Sequence, residues 1–134
     1  MSLCSWPSTT HVLCVVLAMT LAACASNQTG ASKTPATITL TAKDSGATVT
    51  ATAGASIVVR LGAVTNFKWS MPDSSDGGVV GRTGGAVGSD GSAEATFAVI
   101  GPGQAMLSAV DNPRCFPICA LPPAGGWNVT IIVK

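Results

Sequence analysis

Apolar and polar residues alternate along most of the chain beyond residue 36, which is the pattern of half-buried β-strands. In the clearest run, Ile57, Val59 and Leu61 fall on one face and the residues between them on the other. Turn-forming segments such as Lys43-Asp44-Ser45-Gly46 and Gly101-Pro102-Gly103 separate the runs. This arrangement predicts an all-β fold, an immunoglobulin-like two-sheet sandwich of about seven strands. Strands are predicted at residues 37–41, 48–51, 56–61, 66–71, 93–100, 104–110 and 127–133.

Two long segments lack this alternation and are predicted to be loops. Residues 72–91 are rich in glycine, with a short edge strand at Val79-Val80 left open, and residues 112–126 are rich in proline. Loops of this length in a compact domain are usually functional or mobile. Trp69 and Trp127 fall on apolar faces, so we expect both in the core. Phe67 stands at the edge of a loop, where either the core or a partner protein is the expected contact.

The first 23 residues predict an export signal. Residues 12–21 form an almost unbroken apolar run, too short for the roughly 20 helical residues that span a bilayer but typical of a signal peptide. The run ends in Leu21-Ala22-Ala23-Cys24, which resembles the lipobox of bacterial lipoproteins. We therefore expect residues 1–23 to be removed and Cys24 to carry lipid. An ordinary secretory signal followed by an incidental cysteine is the alternative.

A lipidated Cys24 implies a cell-envelope protein, anchored to a membrane on its extracytoplasmic side, because several acyl chains on one residue hold a protein durably in lipid. Residues 24–35 are small and polar and predict a flexible tether, which leaves residues 36–134 as the folded domain. In an exported protein, Cys115 and Cys119 are expected to form a disulfide bond. Their spacing is not the Cys-x-x-Cys of redox sites.

Charge and composition exclude several functions. The net charge of +1 offers no basic surface for nucleic acid. The only histidine, His11, lies in the predicted signal, so the exported chain has no imidazole for a nucleophilic triad, a general base or a metal site. We therefore expect no enzyme activity, no cofactor and no metal. Asp73-Ser74-Ser75-Asp76-Gly77 is faintly similar to a calcium loop, but it lacks the bidentate glutamate and is better interpreted as a solvated turn.

Four motifs follow one another in the domain. Asp44-Ser45-Gly46 forms a turn after the first predicted strand, and Thr65 and Trp69 stand in and just after the loop that follows the third. Gly88-Ser89-Asp90-Gly91 precedes a strand that contains a phenylalanine. Pro102-Gly103-Gln104-Ala105-Met106-Leu107 then matches the element Pro-Gly-x-Ala-x-Leu. In this order the motifs, over about residues 37–134, resemble the chagasin-like family of cysteine-protease inhibitors.

The resemblance implies a sandwich in which three loops at one end block the cleft of a papain-like cysteine protease. The chain departs from the family where Asn66 replaces a glycine, Phe67 replaces a tyrosine, and Asn112-Pro113-Arg114 replaces Arg-Pro-Trp. An interaction or adhesion domain on the same scaffold, binding another envelope protein without inhibiting a protease, is the alternative function. On the inhibitor hypothesis the protease contacts are expected at Thr65, Asn66, Phe67, Gly88, Gly91, Asn112, Pro113 and Arg114.

Overall fold

Two β-sheets face each other across the apolar side chains that the alternation predicts to be buried. A computed structural model of the protein describes residues 34–114 and 125–134, which belong to one unit, Thr34–Lys134. Within these two ranges the chain forms nine strands and a short 3-10 helix at Ala42–Asp44. The strands are β1 Thr37–Thr41, β2 Thr48–Ala51, β3 Ser56–Leu61, β4 Phe67–Trp69, β5 Asp73–Ser74, β6 Val80–Val87, β7 Ala93–Val99, β8 Gly103–Pro113 and β9 Gly125–Val133.

The first sheet has the strand order β1-β3-β7-β6, and the second has the order β2-β9-β8-β4, with β5 also paired to β8. β1 runs parallel to β3 and β2 parallel to β9, while the other pairs are antiparallel. The described chain therefore has the all-β, immunoglobulin-like sandwich that the alternation predicts, with more strands than the seven or so expected.

The chain passes from the first sheet to the second through the 3-10 helix. The Asp44 carboxylate closes this turn by accepting hydrogen bonds from the main-chain N–H of Thr41 at 2.7 Å and from its hydroxyl at 2.9 Å. Gly46 follows with a φ of 82°, a left-handed conformation that glycine adopts without strain. Its N–H donates to the carbonyl oxygen of Asn128 at 2.7 Å. The predicted Asp-Ser-Gly turn thus delivers β2 to the edge of the second sheet.

Inward-facing apolar residues of both sheets form one core. Trp127 is 2% exposed and Trp69 8%, so the prediction that both are core residues is confirmed. Each indole also donates a hydrogen bond out of the second sheet: Trp127 Nε1 to the Thr41 carbonyl at the end of β1, at 2.8 Å, and Trp69 Nε1 to the Gly62 carbonyl just after β3, at 3.0 Å. Other fully buried side chains are Ile57, Val59, Leu61, Val80, Phe97, Leu107, Val129 and Ile131.

The prediction that residues 72–91 form a loop is wrong for half of the segment, which β5 and β6 occupy. β6 pairs with β7 from Val80 to Val87, with a bulge between Arg82 and Gly84. Glycine has no side chain, so the three glycines of β6 show no alternation, although their main-chain groups can still pair with a neighbouring strand. A Cβ at Gly85 would lie 2.7 Å from the Glu94 carbonyl oxygen, so the missing side chain permits the close approach of β6 to β7.

The second expected loop is also shorter than predicted. β8 continues to Pro113 and β9 begins at Gly125, where residues 112–126 were expected to hold no strand. Pairing of Asp111 with Gly125 and of Val110 with Gly126 extends the β8–β9 hairpin beyond the predicted strands. The third protease-binding segment of the sequence analysis therefore starts on a strand rather than in a free loop.

Candidate functional site

The first predicted loop lies between β3 and β4 and is held in a defined turn. The N–H of Phe67 donates to the Val64 carbonyl at 3.1 Å, and Asn66 has a φ of 64°. Asparagine is one of the few residues that adopt this left-handed conformation readily, which explains how it replaces a glycine here. The bond from Trp69 Nε1 to the Gly62 carbonyl fixes the other side of the loop.

The second loop, residues 88–92, is a tight turn between β6 and β7. The N–H of Gly91 donates to the Gly88 carbonyl at 3.0 Å, and Gly91 has a φ of 91°. The Asp90 carboxylate accepts from the Ser92 hydroxyl at 2.6 Å and from the Ser92 N–H at 3.0 Å. These two bonds, first the hydroxyl and then the N–H, hold the pKa of Asp90 below its ordinary value, with a smaller contribution from the charge of Arg114.

The third segment, residues 112–114, continues from the end of β8 and pairs with the first loop. Pro113 lies opposite Phe67 and Asn112 opposite Lys68 in the register of β8 and β4. Beyond the strand, Arg114 is bonded through two different groups. Its main-chain N–H donates to the Asn66 carbonyl at 2.7 Å, and its Nη2 donates to the Ser89 carbonyl at 3.0 Å.

These contacts bring all three segments together, and we call residues 65–67, 88–91 and 112–114 the loop surface. Arg114 joins the third segment to the other two, and the second loop is joined to β4 by the hydrogen bond from the Trp69 N–H to the Gly91 carbonyl at 3.0 Å. Because main-chain atoms form most of these bonds, the arrangement depends little on side-chain rotamers. The fold thus brings together three segments that lie far apart in the sequence.

The predicted site residues differ in how far they are open to a partner. Thr65, Asn66, Asn112 and Arg114 are exposed, while Phe67, Gly88 and Pro113 are half-buried. Gly91 is buried, so it has no surface to offer a partner. Whether these residues contact a protease stays a prediction.

The sequence reasoning missed Ser89 and Asp90 as individual members of the site. Both are exposed, and they stand between the two glycines that the resemblance marks. The Asp-Gly-Ser order is typical of turns in which an aspartate accepts bonds from the residue two positions later. That turn chemistry would have identified Asp90 as the residue that shapes the second loop.

The segment that is faintly similar to a calcium loop begins as β5, at Asp73–Ser74, and turns at Asp76. Asp76 Oδ1 accepts from the N–H of Gly78 at 2.9 Å and from the N–H of Val79 at 3.3 Å. In residues 34–114 and 125–134, no three side chains of histidine, cysteine, aspartate or glutamate lie close enough to hold a metal ion together. The carboxylate of Asp76 thus accepts hydrogen bonds from the main chain of the turn that leads into β6.

The predicted signal peptide, Cys24 and the Cys115–Cys119 disulfide lie outside the described residues. Those predictions are carried by the sequence alone. In the part of the chain that the structure describes, no helix has both the length and the apolar character needed to span a membrane.

Two solved structures similar to this chain identify the fold. One is the crystal structure of a cysteine protease inhibitor from Entamoeba histolytica, with a TM-score of 0.58 and 12% sequence identity over 74% of this chain and 96% of that protein. Another is the solution structure of amebosin, with a TM-score of 0.50 and 17% identity over 75% of this chain and 100% of that protein. No protein-family model matches the chain, and no curated protein matches it in sequence. The shared sandwich is therefore a fold that a cysteine protease inhibitor also has.

Proposed function

We propose that this protein inhibits papain-like cysteine proteases by inserting its loop surface into the substrate cleft. The observation that carries the proposal is the bonding of three sequence-distant segments into one surface, through the Asn66–Arg114, Ser89–Arg114 and Trp69–Gly91 hydrogen bonds. A surface that is already ordered loses little conformational entropy on binding, which favours affinity. The shared fold with a cysteine protease inhibitor supports the choice of target class.

Inhibition of this kind needs contact area and shape rather than chemistry on the target. Phe67 is the largest apolar side chain of the loop surface, and it is half-buried beside the exposed Thr65 and Asn66. A half-buried aromatic ring offers contact area at a low entropic cost, and such residues often dominate binding energy. We therefore assign Phe67 the role of anchor, with the exposed side chains around it excluding water.

The charges around the loop surface balance. Among the described residues at this end, Lys68 and Arg114 are positive, while Asp90 and Asp111 are negative. A balanced set of charges gives little electrostatic steering toward a partner. We therefore expect the affinity for a protease to depend weakly on salt and to rest on buried contact area.

The proposal includes a place for the inhibitor in the cell envelope. The Leu21-Ala22-Ala23-Cys24 motif supports lipid attachment at Cys24, and the small, polar composition of residues 24–35 supports the flexible tether expected from the sequence. A flexible coil of about twelve residues spans roughly 17–21 Å on average. The domain would therefore act on proteases close to the membrane surface.

The experiment is a titration of a soluble fragment, residues 34–134, against papain and a cathepsin, after circular dichroism has shown cooperative unfolding. We expect inhibition, and we expect Phe67→Ala to weaken it at least tenfold, which corresponds to about 1.4 kcal/mol. Val110→Ala is the matched control, because Val110 is 46% exposed on β8 outside the loop surface.

Three outcomes would contradict the proposal. One is the absence of inhibition at micromolar concentrations of the folded fragment. A second is a Phe67→Ala variant that unfolds, which would show that the ring is part of the core. The third is equal loss of inhibition in Phe67→Ala and Val110→Ala. Binding to another envelope protein without inhibition of either protease would favour the interaction-domain alternative.

A further inference from the structure

Gly91 lies at the point where the three segments of the loop surface meet. It is buried, its carbonyl accepts the N–H of Trp69 at 3.0 Å, and its φ is 91°. A Cβ at this position would lie 2.6 Å from the Phe67 carbonyl oxygen and 2.4 Å from Arg114 Nη2. One residue of the second loop is therefore enclosed by main chain of the first loop and side chain of the third segment.

We propose that Gly91 is a positioning residue, which holds the three segments together as one rigid binding surface without touching the partner. This inference rests on the proposed function, and it replaces direct contact with a protease by a structural role for Gly91. Because Gly91 is buried, the second loop presents Ser89 and Asp90 instead. The role of Gly91 is to let the first loop and Arg114 close over it.

The two close contacts at Gly91 differ in their consequences. Arg114 Nη2 is the end of a flexible, exposed side chain, so it can move away from an added methyl group. The Phe67 carbonyl belongs to the main chain and moves only if the first loop moves. An alanine at position 91 would therefore push the first and second loops apart, in addition to straining its own left-handed backbone.

Gly54 separates these two effects and is the matched control. It has a φ of 87°, nearly that of Gly91, but a Cβ there would meet no atom within 4 Å. It lies between β2 and β3, outside the loop surface. Gly54→Ala thus introduces backbone strain alone, whereas Gly91→Ala introduces strain and separates the loops.

Separated loops would lower affinity by reducing the fraction of molecules that can bind. The apparent dissociation constant rises in inverse proportion to the fraction in the binding-competent arrangement. If Gly91→Ala leaves a tenth of the molecules assembled, inhibition weakens tenfold. The effect would be seen in affinity and loop order together.

The test uses the full chain, purified in detergent, as wild type and as the Gly91→Ala and Gly54→Ala variants. Hydrogen exchange is measured at the N–H groups of Trp69 and Arg114, which bond across the segments, and papain inhibition is measured in parallel. We expect Gly91→Ala to speed exchange at both N–H groups and to weaken inhibition, each by about tenfold. Gly54→Ala should leave the exchange rates and the inhibition unchanged, even where it lowers the melting temperature as much as Gly91→Ala does.

Unchanged exchange in Gly91→Ala, or equal loss of inhibition in the two variants, would overturn the inference. A wild-type chain that does not inhibit papain would overturn the proposed function, while the exchange data would still decide the role of Gly91. If Gly91→Ala does not fold, hydrogen exchange of the wild-type chain tests whether the three segments form one rigid unit. Its Trp69, Gly91 and Arg114 N–H groups should exchange with one common opening free energy, and separate values for each segment would contradict a rigid unit.

Discussion

The main-chain N–H of Arg114 donates a hydrogen bond to the carbonyl oxygen of Asn66, with 2.7 Å between the two atoms. The same residue reaches the Ser89 carbonyl through its guanidinium at 3.0 Å. Arg114 is thus bonded to the two other segments of the loop surface, once through its main chain and once through its side chain. The two bonds can be tested separately, because a substitution removes only the second.

Arg114→Ala should weaken protease inhibition about fivefold, which corresponds to about 1 kcal/mol, because the second loop loses its link to the third segment. Arg114→Lys should lose less, since an ammonium group can still donate one bond. Folding stability should change by no more than about 0.5 kcal/mol, because the side chain is exposed. Inhibition constants and urea unfolding measure the two effects.

The control for this prediction is Arg60→Ala. Arg60 is also exposed, and its guanidinium pairs with Glu94 at 2.9 Å on the first sheet, where neither residue belongs to the loop surface. Inhibition by this variant should equal that of the wild type. Equal losses in the two arginine variants would show that charge, and not the contact with Ser89, is responsible.

Acid should loosen the second loop. The bonds from the Ser92 hydroxyl and N–H hold the pKa of Asp90 below its ordinary value of 3.8. Since the pKa is lower in the folded state, the stabilisation is complete above the ordinary value and is lost as the pH falls through the lowered one. A two-dimensional NMR titration should show the Ser92 N–H signal shifting only below about pH 4.

Asp90→Asn should abolish this acid transition at Ser92, because asparagine keeps an acceptor oxygen but does not titrate. Asp44 provides an internal control in the same sample. The Thr41 N–H, followed by the Thr41 hydroxyl, lowers the pKa of Asp44, so the Thr41 signal should still shift in acid. Loss of both transitions in Asp90→Asn would indicate global unfolding instead of a local change.

The two buried tryptophans should separate stability from inhibition. Trp127→Phe removes the indole bond to the Thr41 carbonyl and should lower the free energy of unfolding by about 2 kcal/mol, with inhibition unchanged. Trp69→Phe removes the bond to Gly62 at the start of the first loop, so it should lower both. Denaturant unfolding and inhibition assays at a temperature where both variants are folded make the comparison. Unaltered inhibition in Trp69→Phe would show that the indole bond does not shape the loop.

Cys24→Ala should release the protein from membranes, because the lipid-bearing thiol is lost. Mass spectrometry of the native protein should find acyl groups on an N-terminal Cys24, and fractionation should find the variant among soluble proteins or unprocessed. Cys115→Ser is the control and should remain in the membrane fraction. Unchanged membrane association of Cys24→Ala would show that the anchor lies elsewhere.

Much of the fold could be predicted because side chains carry its periodicity. Alternation identified β3, β7 and the final strand to within two residues at each end, and it placed Trp69 and Trp127 in the core. The same reasoning failed at β6, where three glycines among eight residues leave no alternation to detect. Main-chain pairing with β7 makes residues 80–87 a strand.

The candidate site was predictable only as a set of segments. The resemblance to chagasin-like inhibitors selected the regions around Phe67, Gly91 and Arg114, and the structure brings them together. The resemblance did not indicate that Gly91 is buried while Ser89 and Asp90 are exposed. Burial depends on how segments pack across the sheets, and a glycine in a turn has the same sequence signature whether it is covered or open.

By itself the sequence determined which residues face inward, because hydrophobic side chains must leave water and their spacing records the β-strand period. Only the tertiary structure decided which segments meet at the end of the sandwich. The bonds that join them, from Arg114 to Asn66 and from Trp69 to Gly91, use main-chain N–H and carbonyl groups. Nearly every residue carries those groups, so their pairing leaves no trace in the sequence and follows from the packing of the two sheets.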